Sequence, residues 1–199
     1  MTETQIRQRL EAHKAWLESD SQSGRHLIVE GEQWTAVHLS GSNASNAALS
    51  GCKFIDCRLQ DCDFSNSAFL SARFLNCQFL RCLFVNADLR GLIADRCDFT
   101  GSNFTRADLT DAVLAGSVLA DCVLDWSWLV RTDLRFANLT GLHLENARLL
   151  RTKLYNEGKF RFARPAKITV QDLDVSREGN GSMIAGIDGL DQLLDLNTA

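Results

Sequence analysis

A large apolar residue returns every five positions through most of this chain. From Trp34, steps of five reach Leu39, Ala44, Leu49, Phe54, Leu59 and Phe64, and the series runs unbroken to Leu154. Of its 25 positions only Ala44 and Ala94 are not Leu, Phe or Trp, and no insertion breaks the register. Five matches neither the 3.6-residue period of a helix nor the two-residue period of a strand, so every repeat must contain a turn.

Two residues before each large position lies a second, mostly small series: Ser42, Ala47, Cys52, Cys57, Cys62, Ser67, Ala72, Cys77, Cys82 and Ala87. All seven cysteines, including Cys97 and Cys122, fall in it. That placement gives them the role of small buried side chains, for which free cysteine is well suited, rather than of disulfide partners or metal ligands. At Ala94 the small series carries Leu92, which supplies the missing volume.

The segments ANLTG at 137–141, ADLTD at 107–111 and ADLRG at 87–91 match an A-(D/N)-L-x-x signature. With 25 consecutive repeats in one register, residues 30–155 resemble the pentapeptide-repeat family. The resemblance implies an all-β solenoid, a right-handed four-sided β-helix with four pentapeptides per coil. The large and small series then point inward and the other three positions point out. Residues twenty apart stack on this reading, so Phe64, Phe84 and Phe104 form one internal ladder and Cys57, Cys77 and Cys97 another. Six coils at the inter-strand spacing give a rod on the order of 30 Å long.

A solenoid has open ends that must be covered. Residues 4–18 place Ile6, Leu10, His13 and Leu17 on one helical face with Ala12 and Trp16 beside it, which predicts an amphipathic N-terminal cap. The organisation read from the sequence is a helix cap and linker over 1–29, the β-helix over 30–155 and a mixed C-terminal tail over 156–199. In the tail Phe160, Phe162, Ile168 and Val170 alternate around Pro165, the single proline, while Ile184, Ile187, Leu190 and Leu194 recur at helical spacing, weakened by Gly186 and Gly189. The stretch 176–182 between them reads as a loop. The tail is too apolar to stand in water and is expected to cover the C-terminal end, fold back on the rod or pair with a second copy.

Catalytic chemistry needs convergent reactive groups, and none is legible. His13, His26, His38 and His143 are scattered, and no HExxH, GxSxG, glycine-rich phosphate loop or paired metal-ligand spacing occurs. The aspartates Asp63, Asp88, Asp98, Asp108 and Asp133 sit at the D of the repeat signature, so repetition accounts for them. No catalytic residue, cofactor or metal is expected, and the chain is read as non-enzymatic. The formal charge of −4 is mild, which argues against direct nucleic-acid binding. No apolar run is long enough to span a bilayer and no signal peptide is apparent, so a cytoplasmic protein without membrane contact is expected.

What remains is the outer surface. Val113, Val118, Val123 and Trp128 precede successive central leucines, with Trp126, Val130 and Phe136 close by in sequence. Exposed apolar groups in such density mark a contact. Trp126, Trp128, Val130, Phe136, Val118 and Val123 are therefore the candidate interaction surface, to be covered either by the C-terminal tail or by a partner. A second group, Leu70, Leu75, Leu80, Leu83 and Val85, runs around another coil. The leading expectation is a protein–protein interaction scaffold with an unknown protein partner, dimeric through its C-terminal region. The resemblance supplies two alternatives: a DNA-mimic protein that binds DNA gyrase or topoisomerase IV, and a component or effector of a bacterial injection system. The DNA-mimic alternative meets a mixed repeat surface of fourteen acidic and twelve basic residues, whereas the phosphate backbone it would imitate is densely negative.

Overall fold

The computed structural model describes residues 1–155, 168–179 and 183–184. A 16-residue helix, α1 (Glu3–Glu18), is followed by a parallel β-solenoid of about six turns. The solenoid is four-sided because pairing partners lie twenty residues apart, four pentapeptides per turn. On the first face β1 (Gln33–Thr35), β3 (Lys53–Ile55), β5 (Arg73–Leu75) and β7 (Ile93–Asp95) form a four-stranded parallel sheet. On the second, β2 (His38–Ser40), β4 (Arg58–Gln60) and β6 (Gln78–Leu80) pair with the same offset. The third face is built of single bridges from Asn43 through Leu83 to His143, and the fourth of bridges from Ile28 through Asp88 to Trp128. The fourth face ends in β8 (Trp128–Val130) and β9 (Arg148–Leu150).

The repeat signature follows from where five backbone N–H groups go. Around Phe64, the N–H of Asp63 donates to Ser42 O in the coil below, and those of Phe64 and Asn66 donate to Leu83 O and Val85 O in the coil above. The N–H of Ser67 closes the corner on Phe64 O. The fifth N–H, that of Ser65, is taken by the side chain of Asp63 at 2.8 Å. The same two-residue reach, an Asx turn, recurs from Asn43 to Ser45, Asp98 to Thr100, Asn103 to Thr105, Asp108 to Thr110 and Asn138 to Thr140. Aspartate or asparagine before the central leucine is thus an acceptor for the one N–H that coil stacking leaves over.

Inside, Phe64, Phe84 and Phe104 stack nearly parallel at 5.4 and 4.9 Å, and Phe79 stacks on Phe99 at 5.5 Å. Leu92 and Ala94 are both buried, the exchange of volumes read from the sequence. The small series does more than save space. Where a corner is built of extended strand, its central carbonyl lacks a turn N–H, and the small residue of the next coil supplies a proton: Cys57 Sγ to Trp34 O, Cys82 Sγ to Leu59 O and Ser102 Oγ to Phe79 O. Thr152 makes the same bond to Leu129 O. All seven cysteines are free and buried. Burial pushes the Cys52 thiol up to about 11 and that of Cys122 up to about 12.

The helix closes the first coil. Thr2 and Gln5 form a capping box, and Ile6, Leu10 and His13 bury against the end of the core. Side chains of the helix take the edge groups that the first coil has no neighbour to satisfy. Glu3 accepts the His38 N–H at 2.9 Å and Arg7 donates to His38 O at 2.5 Å. His13 donates from Nε2 to Ser45 O at 2.8 Å and accepts the Leu27 N–H on Nδ1 at 3.1 Å, which makes it the neutral tautomer. His13 and His26 are not scattered as the sequence suggested: their rings lie 5.6 Å apart, with Trp16 stacked on His26 at 4.4 Å. Gly24 makes the return from helix to coil possible, since a Cβ there would lie 2.2 Å from Ala12 O.

The five-residue period stops after Leu154, yet the coil resumes. β10 (Thr169–Gln171) pairs in parallel with β9, and Lys153 bridges Asp174, with an offset of 21 instead of 20. Ile168, Val170 and Leu173 are buried over the last coil, and Asp174 accepts the Ser176 N–H as the repeat aspartates do. β11 (Leu173–Asp174) then pairs antiparallel with β12 (Met183–Ile184). Phe160, Phe162, Pro165, Gly186, Ile187, Gly189, Leu190 and Leu194 lie outside the described residues, as do parts of the 176–182 stretch.

Two measurements check this packing. In native protein at pH 8, Ellman's reagent should titrate less than about one thiol per chain, and all seven after unfolding. A native chain with several reactive thiols would mean that the small series is not sealed inside. Burial holds His13 below its ordinary value of 6.5; the folded state prefers the neutral ring, so its contribution is full above that value and is lost as pH falls. The unfolding free energy from urea titrations should drop between pH 7 and 5, by up to about 1.4 kcal/mol per pH unit, and a His13→Gln variant should show a shallower fall.

Candidate interaction surface

Each repeat ends in a corner residue with left-handed backbone, and the corners stack in columns. One column, between the third and fourth faces, holds Asn46, Asn66, Asn86, Arg106, Trp126 and Asn146, all at positive φ. Asparagine is the side chain that best tolerates this conformation, and a bulky residue there is an outlier. Trp126 (φ 62°) and Phe136 (φ 61°) are the only aromatic residues at positive φ among the described residues. Both are exposed, at 53% and 43%.

Trp128 stands on the fourth-face ladder two residues on, above Asp108 and below Arg148. It replaces the acceptor that Asp88 and Asp108 supply in the lower coils, so it offers no oxygen to the following N–H. Its ring is 45% exposed and is roofed by the Arg148 guanidinium, 4.6 Å from the centroid, a cation–π contact. Nearby, Arg131 grips Asp111 with two 2.6 Å hydrogen bonds and holds that carboxyl below its usual range. Trp126 and Trp128 are therefore two exposed indoles at one edge of the rod, with a cation above the second.

The remaining candidates are divided by the four-sided geometry. Five residues along the chain is a quarter turn, so Val113, Val118, Val123 and Trp128 lie on the first, second, third and fourth faces in turn. Val123 and Val130 are half-buried and flank the tryptophan edge. Val118 belongs to the second face, and Phe136 occupies the corner half a turn away, where its ring meets Tyr155 at 5.5 Å. The group Leu70, Leu75, Leu80, Leu83 and Val85 is spread round the rod for the same reason. Sequence reasoning missed Arg148, whose signal was available: it lies twenty residues beyond Trp128.

The described part of the tail lies on the last coil, and both indoles remain exposed. No group of three or more His, Cys, Asp or Glu among the described residues is placed to hold a metal ion, and no described helix is long and apolar enough to cross a membrane.

A family model of pentapeptide repeats matches the chain in eight copies, over residues 35–69, 82–121 and 117–154. No protein of curated function matches the sequence. Among solved structures, the chain is similar to a trypsin-treated form of QnrB1, a plasmid-mediated fluoroquinolone resistance protein (19% identity over 77% of this chain and 93% of that one, TM-score 0.38). It is also similar to HetL, a pentapeptide repeat protein involved in heterocyst differentiation regulation in the cyanobacterium Nostoc sp. strain PCC 7120 (17%, 88% and 98%, TM-score 0.31). A third is a pentapeptide repeat protein from the thylakoid lumen of Arabidopsis thaliana (17%, 56% and 64%, TM-score 0.26).

If the corner is strained for the sake of the surface, Trp126→Asn should leave the fold intact and raise its stability, by on the order of 1 kcal/mol. Urea denaturation measures this. A loss of that size would mean that the indole is a structural element.

Proposed function

The chain belongs to the pentapeptide-repeat family, and on that footing we propose that it is a non-enzymatic protein–protein interaction scaffold whose partner docks on the edge carrying Trp126 and Trp128. The observation that carries this reading is the pair of half-exposed indoles, one at a left-handed corner and one in place of the repeat's acceptor. Each position works against a local rule of the repeat, and both indoles stay exposed. Strain of this kind concentrates where a surface is used.

Tryptophan with an adjacent arginine is the composition of an interface hot spot. The rod suits the task because its side chains stand on hydrogen-bonded coils and lose little freedom on binding. Arg148, held over Trp128, adds a fixed cation that would select an acidic or carbonyl-rich rim on the partner. Val123 and Val130 form the margins of the footprint, while Val118 and Phe136 face other directions and are left out of it. Seven free thiols fit a reducing, cytoplasmic setting.

The DNA-mimic reading has less behind it. Asp61 and Asp111 are each neutralised by an arginine one coil above, Arg81 and Arg131, through paired hydrogen bonds. Acidic columns interrupted in this way give no continuous negative stripe of the kind duplex DNA presents.

The test is a Trp126→Ser/Trp128→Ser double variant, followed by affinity capture and by size exclusion with light scattering. Loss of captured partner or of self-association, with an unchanged circular dichroism spectrum, is the expected result. Unaltered capture and unaltered mass would move the site elsewhere on the rod.

A further inference from the structure

The first face carries an arrangement that the tryptophan edge does not use. β3 and β5 pair in register so that Lys53 lies directly beside Arg73. Like charges side by side on a sheet destabilise it. Several other charged positions on the rod are paired with an opposite charge: Arg81 meets Asp61, Arg131 meets Asp111, Arg135 meets Asp133, and Arg90 sits against Asp88 and its stacked neighbour Asp108. Among the described residues neither Lys53 nor Arg73 is in an ion pair, and their neighbours along the ladder are uncharged. Gln33 and Ile93 continue the ladder below and above, and Ile55 and Leu75 stand across the strand. Gly51, Ser71 and Gly91 occupy the corner on the other side.

The two outward columns of this face enclose a groove of about 310 Å³ that runs along the rod. One wall is Lys53, Arg73 and Ile93; the other is Ile55, Leu75 and Asp95; the backbone of Phe54 and Phe74 forms the floor. Three strands at the inter-strand spacing give it a reach of ~10 Å, about three residues of an extended chain. The two cations of the basic wall have no ion-pair partner among the described residues, and the opposite wall is apolar at Ile55 and Leu75 and acidic at Asp95.

The geometry points to a second docking site here, for an extended acidic segment of a partner protein with an apolar side chain between its carboxylates. It rests on the reading of this rod as a protein-binding scaffold, and adds the chemistry of what one face accepts. A carboxylate side chain reaches Lys53 and Arg73 while the apolar side chain sits against Ile55 and Leu75. Charge complementarity selects the sign of the partner and the apolar wall selects against a bare polyanion. Asp95, paired with Arg96 at 3.3 Å, closes the upper end to a longer run of acids.

The test uses the full chain. A display library of random peptides of about twelve residues is selected on the wild-type protein and counter-selected on a Lys53→Glu/Arg73→Glu variant. Survivors should be net acidic with interspersed Leu, Ile or Phe, should bind the charge-reversed variant at least roughly tenfold more weakly, and should weaken with added salt. They should bind the Trp126→Ser/Trp128→Ser variant undiminished, which separates this site from the tryptophan edge. An Arg73→Glu single variant should keep or raise its thermal midpoint, because it turns a like-charge contact into an opposite one; a fall would show that the pair is structural. The inference is overturned if selected peptides carry no acidic bias or bind the charge-reversed variant equally. It is also overturned if a mixed-sequence single-stranded oligonucleotide binds through the same two residues more tightly than the peptides.

Discussion

Everything in this molecule depends on hydrogen bonding between successive coils. A pentapeptide has five N–H groups; three point along the rod and are taken by the coils above and below, and a fourth closes the corner. The arrangement holds only if coils stack in parallel with an offset of twenty residues, and only if the corner residue adopts left-handed backbone. The fifth N–H points outward, and the Asp or Asn side chain two residues earlier accepts it. The A-(D/N)-L-x-x signature is therefore a statement about satisfied backbone groups as much as about a core. The small inward series completes it from inside, where a thiol or hydroxyl donates to a central carbonyl that lacks a turn N–H.

This division of labour separates the interior from the surface. Two positions in five fill the core and are restricted to one large and one small side chain. The outward positions answer to local rules: an acceptor before the central residue and a residue tolerant of left-handed backbone at the corner. The ends need different solutions because the ladder stops there. At the start, α1 brings a carboxylate, a guanidinium and an imidazole to the exposed edge. At the finish, residues 168–174 lie back on the last coil with the register shifted by one and the buried pattern Ile168, Val170 and Leu173.

The period, the burial of the cysteines and the helical cap were legible because each is a repeated or amphipathic pattern along the chain. The resumed coil was legible in principle, since 168–175 repeats the inward spacing, but its one-residue shift removes it from a strict five-step search. What could not be read by proximity in sequence was the surface. Neighbours on the rod are twenty residues apart, whereas neighbours in sequence turn away from each other by a quarter turn. That is why Phe136 and Val118 separate from Trp128, and why Arg148 joins it. His13 and His26 meet because Gly24 turns the chain back under the helix, a tertiary event with no local signature.

A surface built on such strict local rules is best read through its departures from them, and hydrophobicity alone is a poor guide. Leu83, Val113, Val118 and Val123 all replace the acceptor, yet a single aliphatic side chain on a ladder covers backbone and adds cross-strand packing. Trp126 and Trp128 differ because a second unfavourable term is added: a bulky ring on left-handed backbone, and a large exposed aromatic area beside it. Lys53 and Arg73 differ in the same way, losing the acceptor and gaining a repulsive contact with no ion-pair partner among the described residues. In a fold whose coils could accommodate Asn or Asp at every one of these places, two independent local costs at one spot are hard to account for by packing. Those paired costs are the ground on which the tryptophan edge and the basic groove are proposed as contact surfaces.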